Sequence, residues 1–354
     1  MKKFLTVLIL VSSFLVLGGP GCVQINFGGS TGADGGVYKS FDKGAIWEQR
    51  NKILATDQKV LSISNLNILS FAMDPQDNKA IYVGSQGSGL FYSYDGGEGW
   101  TQSLTLKSGD VPSIAVSPSD KCTIYAGFEN KVIKSDDCSR TWKVMYFDSR
   151  GTNKILSVAV DHRNGAVVYA GSMTGDVLKS SDSGVSWSPI GRLQNPIKKI
   201  LIAPYNSAIV YVATQNKGIF KTKNAGGGWE NLADGLKPFN SALNYKDLKF
   251  DLSAQETLVY ASQYGLLKTT DGGQTWNEIA LLTPPKAATI YAVEVNPKNG
   301  NDIFYSTATT FYRTLDGGKK WITKKLPTKR AASNIICDPE NPNLMYMTAR
   351  RVDQ

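Results

Sequence analysis

The chain has 354 residues, a formal charge of +9, 42% hydrophobic and 19% charged residues, and 34 glycines. This balance excludes a disordered chain, which could not bury enough apolar surface, and suits many short strands joined by tight turns. With one histidine and four cysteines, none at metal-ligand spacing, no metal or other cofactor is expected, and the excess of cations points toward anionic partners.

Read from the N-terminus, Lys2 and Lys3 precede an apolar stretch over 4–17, followed by Gly18, Gly19, Pro20, Gly21 and Cys22. The stretch is too short to cross a bilayer comfortably and has the length of the apolar part of a secretory leader. A cysteine directly behind it resembles the lipobox of bacterial lipoproteins, which implies cleavage before Cys22 and lipidation of that residue; plain secretion is the alternative. The expected organisation is a leader over 1–21, a short tether over 22–35 and a single domain over 36–354. The leader places the protein outside the cytoplasm, either anchored to the cell envelope through Cys22 or secreted.

Beyond the tether one motif recurs, Ser/Thr-x-Asp-x-Gly-x-x-Trp, and all seven tryptophans end a copy of it. The copies are Ser40, Asp42, Gly44, Trp47; Ser93, Asp95, Gly97, Trp100; Ser135, Asp137, Ser139, Trp142; Ser180, Asp182, Gly184, Trp187; Thr222, Asn224, Gly226, Trp229; Thr269, Asp271, Gly273, Trp276; and Thr314, Asp316, Gly318, Trp321. Successive tryptophans are 53, 42, 45, 42, 47 and 45 residues apart, the period of a four-stranded propeller blade rather than of a helical solenoid. Each repeat predicts four short strands, as over 155–160, 167–171, 177–180 and 187–190, ordered from the channel outward. The first copy has no inner strand pair before it, and the pair predicted over 334–348 has no outer pair after it. Joined, these halves form one composite blade that closes a ring of seven and leaves only short edges. Within the motif, Gly or Asn tolerates positive φ, Asp accepts backbone N–H groups and Trp covers apolar surface. The seven acidic positions therefore read as fold clamps, not as catalytic or calcium-binding groups.

On these copies the chain resembles the Asp-box, or bacterial neuraminidase repeat, propellers over roughly residues 35–354. That group includes sialidases, family 74 glycoside hydrolases, sortilin-type receptors and the photosystem II assembly factor propeller. The resemblance implies an all-β, seven-bladed propeller with four-stranded blades and leaves the function open between a binding or assembly platform and a glycoside hydrolase. The Phe/Tyr-Arg-Ile-Pro motif of sialidases is missing, and the repeats suffice for one propeller, whereas family 74 enzymes face two across a cleft. The assembly factor matches best in architecture. Turns such as Asp74-Pro75, Asn296-Pro297 and Asp338-Pro339 look closer to the hydrolase and receptor branch.

In a propeller the connections from an outermost strand to the next innermost strand lie at one end of the channel, here termed the inlet face. They carry many lysines and arginines and few acids. Arg150, Lys154, Arg192, Lys198, Lys329 and Arg330 are the expected ligand-binding residues, for an anionic polysaccharide or an acidic protein segment. No nucleic-acid partner is expected, because the leader places the protein outside the cytoplasm, and the absence of a self-association signal suggests a monomer. A hydrolase would need two carboxylates about 5 to 9.5 Å apart at one end of the channel. Asp110, Asp148 and Asp176 are the candidates, with Glu129, Asp234 and Tyr264 within reach; each acid reads first as a loop carboxylate that caps a turn or pairs with a lysine. Cys122 and Cys138 fall almost opposite each other in a hairpin turning near Glu129 and Asn130. That placement fits a disulfide in an oxidising compartment or a buried reduced pair.

Overall fold

The computed structural model describes residues 33–54 and 61–352; the leader and Cys22 lie outside them. Six blades are built from consecutive strands: blade one spans 68–102, blade two 113–147, blade three 155–192, blade four 197–231, blade five 245–279 and blade six 292–325. Blade seven is composite. Its inner strands, Ala331–Cys337 and Met345–Arg350, are completed by Gly36–Ser40 and Glu48–Gln49 from the other end of the described chain, with Tyr38 opposite Met347. One helix, Ala233–Leu236, and a small hairpin of Lys52–Ile53 with Leu61–Ser62 are the additions among the described residues. No helix among them is long and apolar enough to cross a membrane.

The second strand of each blade is covered on both faces by neighbouring blades, so it reads as a continuous apolar run rather than an alternating one. Val168–Ser172, Val210–Thr214 and Leu258–Ser262 are buried at every position. Each second strand contributes one fully buried tyrosine: Tyr82, Tyr125, Tyr169, Tyr211, Tyr260, Tyr305 and Tyr346. Several reach the motif turn of the next blade. Tyr125 donates to the Ser183 carbonyl at 2.9 Å, Tyr211 to Gly272 at 3.2 Å and Tyr346 to Gly96 at 3.0 Å. Third-strand lysines sit over the same rings, Lys134 on Tyr125, Lys179 on Tyr169, Lys221 on Tyr211 and Lys39 on Tyr346. These four cations are therefore components of the blade seams.

The motif turn is held by its first two polar residues together. Ser180 donates to the Asp182 carboxylate at 2.7 Å and accepts from the Gly184 N–H at 2.8 Å, while the same carboxylate accepts from the Ser186 N–H at 2.9 Å. The turn also bonds the hairpin between the first two strands of its own blade, as Ser183 N–H does to the Ala166 carbonyl and Gly272 N–H to Glu256. Both sets of turns thus share one end of the ring, opposite the inlet face. Cys122 and Cys138 form a disulfide with Cα atoms 4.0 Å apart, and Cys337 is free and buried.

Candidate functional site: the channel mouth

Five innermost strands begin with the same irregularity. Pairing slips by one residue between Ile68 and Ser70, Ile155 and Ser157, Ile197 and Lys199, Tyr245 and Asp247, and Ala332 and Asn334. The skipped residue is a β-bulge, freed from the ladder and aimed off the sheet. These bulge residues are Leu69, Leu156, Lys198, Lys246 and Ser333, and all five line one pocket of about 490 Å³.

One residue further in, side chains bond sideways to adjoining blades. Ser70 donates to the Val111 carbonyl at 2.8 Å, Ser113 accepts from the Val158 N–H at 2.9 Å, and Ser157 accepts from the Ile200 N–H at 3.0 Å. In blades four and five this tier carries Lys199 and Asp247, an ion pair at 3.6 Å, and Asp247 also accepts from the Val293 N–H at 3.2 Å. Burial pushes Lys199 below the ordinary lysine range, with Asp247 opposing the shift. Deeper still, Lys249 and Glu294 pair at 2.7 Å. The inner charges are thus matched.

The mouth differs. Lys198 and Lys246 line the pocket together with Arg350, which ends the second strand of blade seven. None of these three cationic side chains has an acidic or hydrogen-bonding partner among the described residues, and Arg350 Nε is fully shielded from solvent. Burial and the adjacent Arg350 hold both lysines below their usual range. The arrangement gathers like charge in a partly desolvated inlet and leaves its donors unused.

The rim around this mouth is largely neutralised. Arg150 donates to Asp148 through Nε at 2.9 Å and to both Asp148 and Asp176 through Nη2 at 2.6 Å, and Arg192 donates to Asp176 at 2.8 Å. Hydrogen bonds from Arg150 hold the Asp148 carboxyl down to about 2. Burial works against Asp176, yet bonds from Arg150, Arg192 and Thr174 keep it below the ordinary carboxylate range. Lys154 lies 3.2 Å from both Asp110 and Glu129, Asp234 pairs with Lys237 at 2.7 Å, and Tyr264 donates to Glu278 at 2.9 Å. Arg330 is only 3% exposed; it pairs with Asp34 at 3.2 Å and donates to the Leu66 carbonyl at 2.8 Å, so it ties the ring closure. Lys329 is exposed and its backbone N–H donates to Asp34.

Of the six residues expected from sequence to bind ligand, Lys198 lines the channel pocket, Arg150, Lys154 and Arg192 stand on the rim with acidic partners, and Lys329 and Arg330 lie at the closure. Lys246 and Arg350 complete the mouth. Lys246 owes its place to the bulge between Tyr245 and Asp247, which the sequence alone does not show. Arg350 belongs to a half-blade and reaches the inlet only when the ring closes.

Residues 175–280 match the family described as Sortilin-Vps10 (sortilin, neurotensin receptor 3). Among solved structures, the chain is 15% identical to a GH74 enzyme from Niastella koreensis, with a TM-score of 0.65 over 85% of this chain and 53% of that one. It is 19% identical to the GH74 xyloglucanase from Xanthomonas campestris, with a TM-score of 0.65 over 80% of this chain and 51% of that one. YCF48, solved with a D1 peptide bound, is 14% identical, with a TM-score of 0.61 over 81% of this chain and 94% of that one. The chain spans about half the length of the GH74 enzymes it matches. At these identities the shared property is the propeller fold, common to hydrolases and to a peptide-bound protein alike.

Proposed function

We propose that this protein is a non-catalytic binding or assembly platform whose channel mouth holds an anionic partner, either an acidic protein segment or an anionic polysaccharide. The observation that carries the reading is the convergence of Lys198, Lys246 and Arg350 on one pocket with no acid to match them. Gathering three like charges in a partly desolvated inlet raises their energy, and a bound anion lowers it again. A propeller of similar fold has been solved with a peptide bound, which supports the same mode of use. The leader and Cys22 support an extracytoplasmic protein anchored through lipid, in a compartment that holds envelope and secreted partners.

The alternative is a glycoside hydrolase, and one observation favours it. Asp148 and Asp176 flank the same Arg150 nitrogen, each at 2.6 Å, which brings their carboxylates within the roughly 5 Å separation of a retaining enzyme. Against it, the arginine occupies the space between them and keeps both ionised, so neither is a protonated acid for the leaving group. The deciding experiment is calorimetric titration of the purified protein with poly-aspartate and with hyaluronate at low and high salt. The platform reading expects affinity to fall at least about tenfold as the ionic atmosphere thickens, and Lys198→Glu with Lys246→Glu to abolish binding. Salt-independent affinity defeats it, and reducing-sugar release from xyloglucan that Asp176→Asn abolishes would establish the hydrolase instead.

A further inference from the structure

The ring of bulge residues is divided by chemistry. Blades one and three present Leu69 and Leu156 at the mouth, backed by Phe71, Ile114 and Val158, while blades four and five present Lys198 and Lys246. The bulge freed each side chain from its ladder in the same way, so the contrast lies in residue choice and not in backbone geometry. Resting on the platform reading, we infer that the partner is an acidic protein segment with an apolar side chain beside its carboxylate, rather than a polysaccharide.

Two physical points select the peptide. Leu69 and Leu156 offer no side-chain donor or acceptor, and the Ser70, Ser113 and Ser157 hydroxyls behind them are already bonded across the blade seams, so sugar hydroxyls turned toward this wall would lose water for little return. Successive side chains of an extended peptide point to opposite sides. In a seven-membered ring, blade one lies across the channel from blades four and five, so neighbouring acidic and apolar residues face the lysine wall and the leucine wall at once. The carboxylate answers Lys198, Lys246 and Arg350, and the apolar group covers surface on Leu69 that water otherwise touches, with Leu156 at its flank beside the lysine wall.

The test compares three probes on the intact protein by calorimetry: a blocked peptide alternating Asp and Leu, poly-aspartate of equal length, and a hyaluronate oligosaccharide. The alternating peptide is expected to bind about tenfold tighter than poly-aspartate despite its lower charge, a ratio equivalent to roughly 1.4 kcal/mol. Leu69→Ser should erase that preference while leaving poly-aspartate affinity in place. Leu156→Ser, also partly exposed and outside the ladder, should reduce it and serves as the second variant if the first does not fold. Lys198→Ala with Lys246→Ala should weaken both peptides. Equal or tighter binding of poly-aspartate, or an undiminished preference in a folded serine variant, overturns the inference. Hyaluronate binding without peptide binding overturns it while leaving the platform reading intact; failure of all three probes removes the platform reading as well.

Discussion

Gly171 is a glycine for a reason unrelated to turn geometry. It lies in the second strand of blade three with an ordinary strand backbone, and a Cβ there would come within 2.4 Å of the Ile197 Cγ2 on blade four. By contrast Gly184, in the motif turn, needs its φ of 89°. Overpacking of a seam cannot relax without moving a whole blade, so Gly171→Ala should cost about 1–3 kcal/mol in urea unfolding. Adding Ile197→Ala should recover part of that loss, because the two sites share one contact; strictly additive losses would refute the packing account. The acids act at the same scale. The Asp148 carboxyl is held at about 2 by Arg150, Asp137 at about 2 by the Thr141 hydroxyl and N–H, and Asp182 at about 2 by the Ser186 hydroxyl and N–H, against an ordinary value of 3.8. A folded value below the unfolded one means each carboxylate stabilises the protein fully above the unfolded value, and that contribution disappears as pH falls through the folded value. The melting temperature should therefore drop between about pH 4 and pH 2, and Asp148→Asn should differ from the parent above that window but converge with it at its acid end.

At the scale of elements, the hairpin of blade two is closed by Cys122–Cys138 across a separation of 16 residues. A link of that span restricts the unfolded chain by about 3 kcal/mol in the loop-entropy account. Replacing both cysteines by serine should lower stability by about 2–3 kcal/mol without altering channel binding, since the disulfide lies at the end of the hairpin away from its turn at Glu129 and Asn130, opposite the inlet; a change in anion affinity would contradict that placement. The blades themselves were legible because their information is local: the Ser/Thr, Asp/Asn and Gly/Ser of each motif bond one another within four residues, and the count of half-blades implied the composite one. The bulges were not legible, because a bulge exists only relative to a pairing partner, and Leu156 or Lys198 reads as an ordinary strand residue until its register with the second strand is known. Rim neutralisation escaped for a similar reason. Arg150 meets Asp176 from the connection between blades two and three, 26 residues away, and Arg330 meets Asp34 from the far end of the chain, so each was visible as a cation and not as half of a pair.

For the whole molecule, the excess positive charge separates into populations with different roles. Lys39, Lys134, Lys179 and Lys221 stand over seam tyrosines, Arg150, Lys154 and Arg192 balance rim acids, and Lys198, Lys246 and Arg350 remain unmatched at the mouth. The last of these couples binding to closure. Arg350 ends the strand Met345–Arg350, which pairs on one side with Ala331–Cys337 and on the other with Gly36–Ser40, so an anion held by its guanidinium also holds the strand on which the composite blade is built. The other fastening is Arg330, which loses both an ion pair and its carbonyl contacts in Arg330→Met. Leaving Asp34 and the Asn65 and Leu66 carbonyls without that donor should cost on the order of 3 kcal/mol, and amide exchange should accelerate first in Gly36–Ser40 and Met345–Arg350 rather than evenly around the ring. Because a ligand that binds only the closed form stabilises it by mass action, saturating poly-aspartate should slow exchange in those two strands in the parent and in Arg330→Met, and should have no effect once Lys198 and Lys246 are replaced by alanine. Uniform exchange around the seven blades, with or without the anion, would mean that the seam at blade seven is no weaker than the other six and that binding and closure are independent.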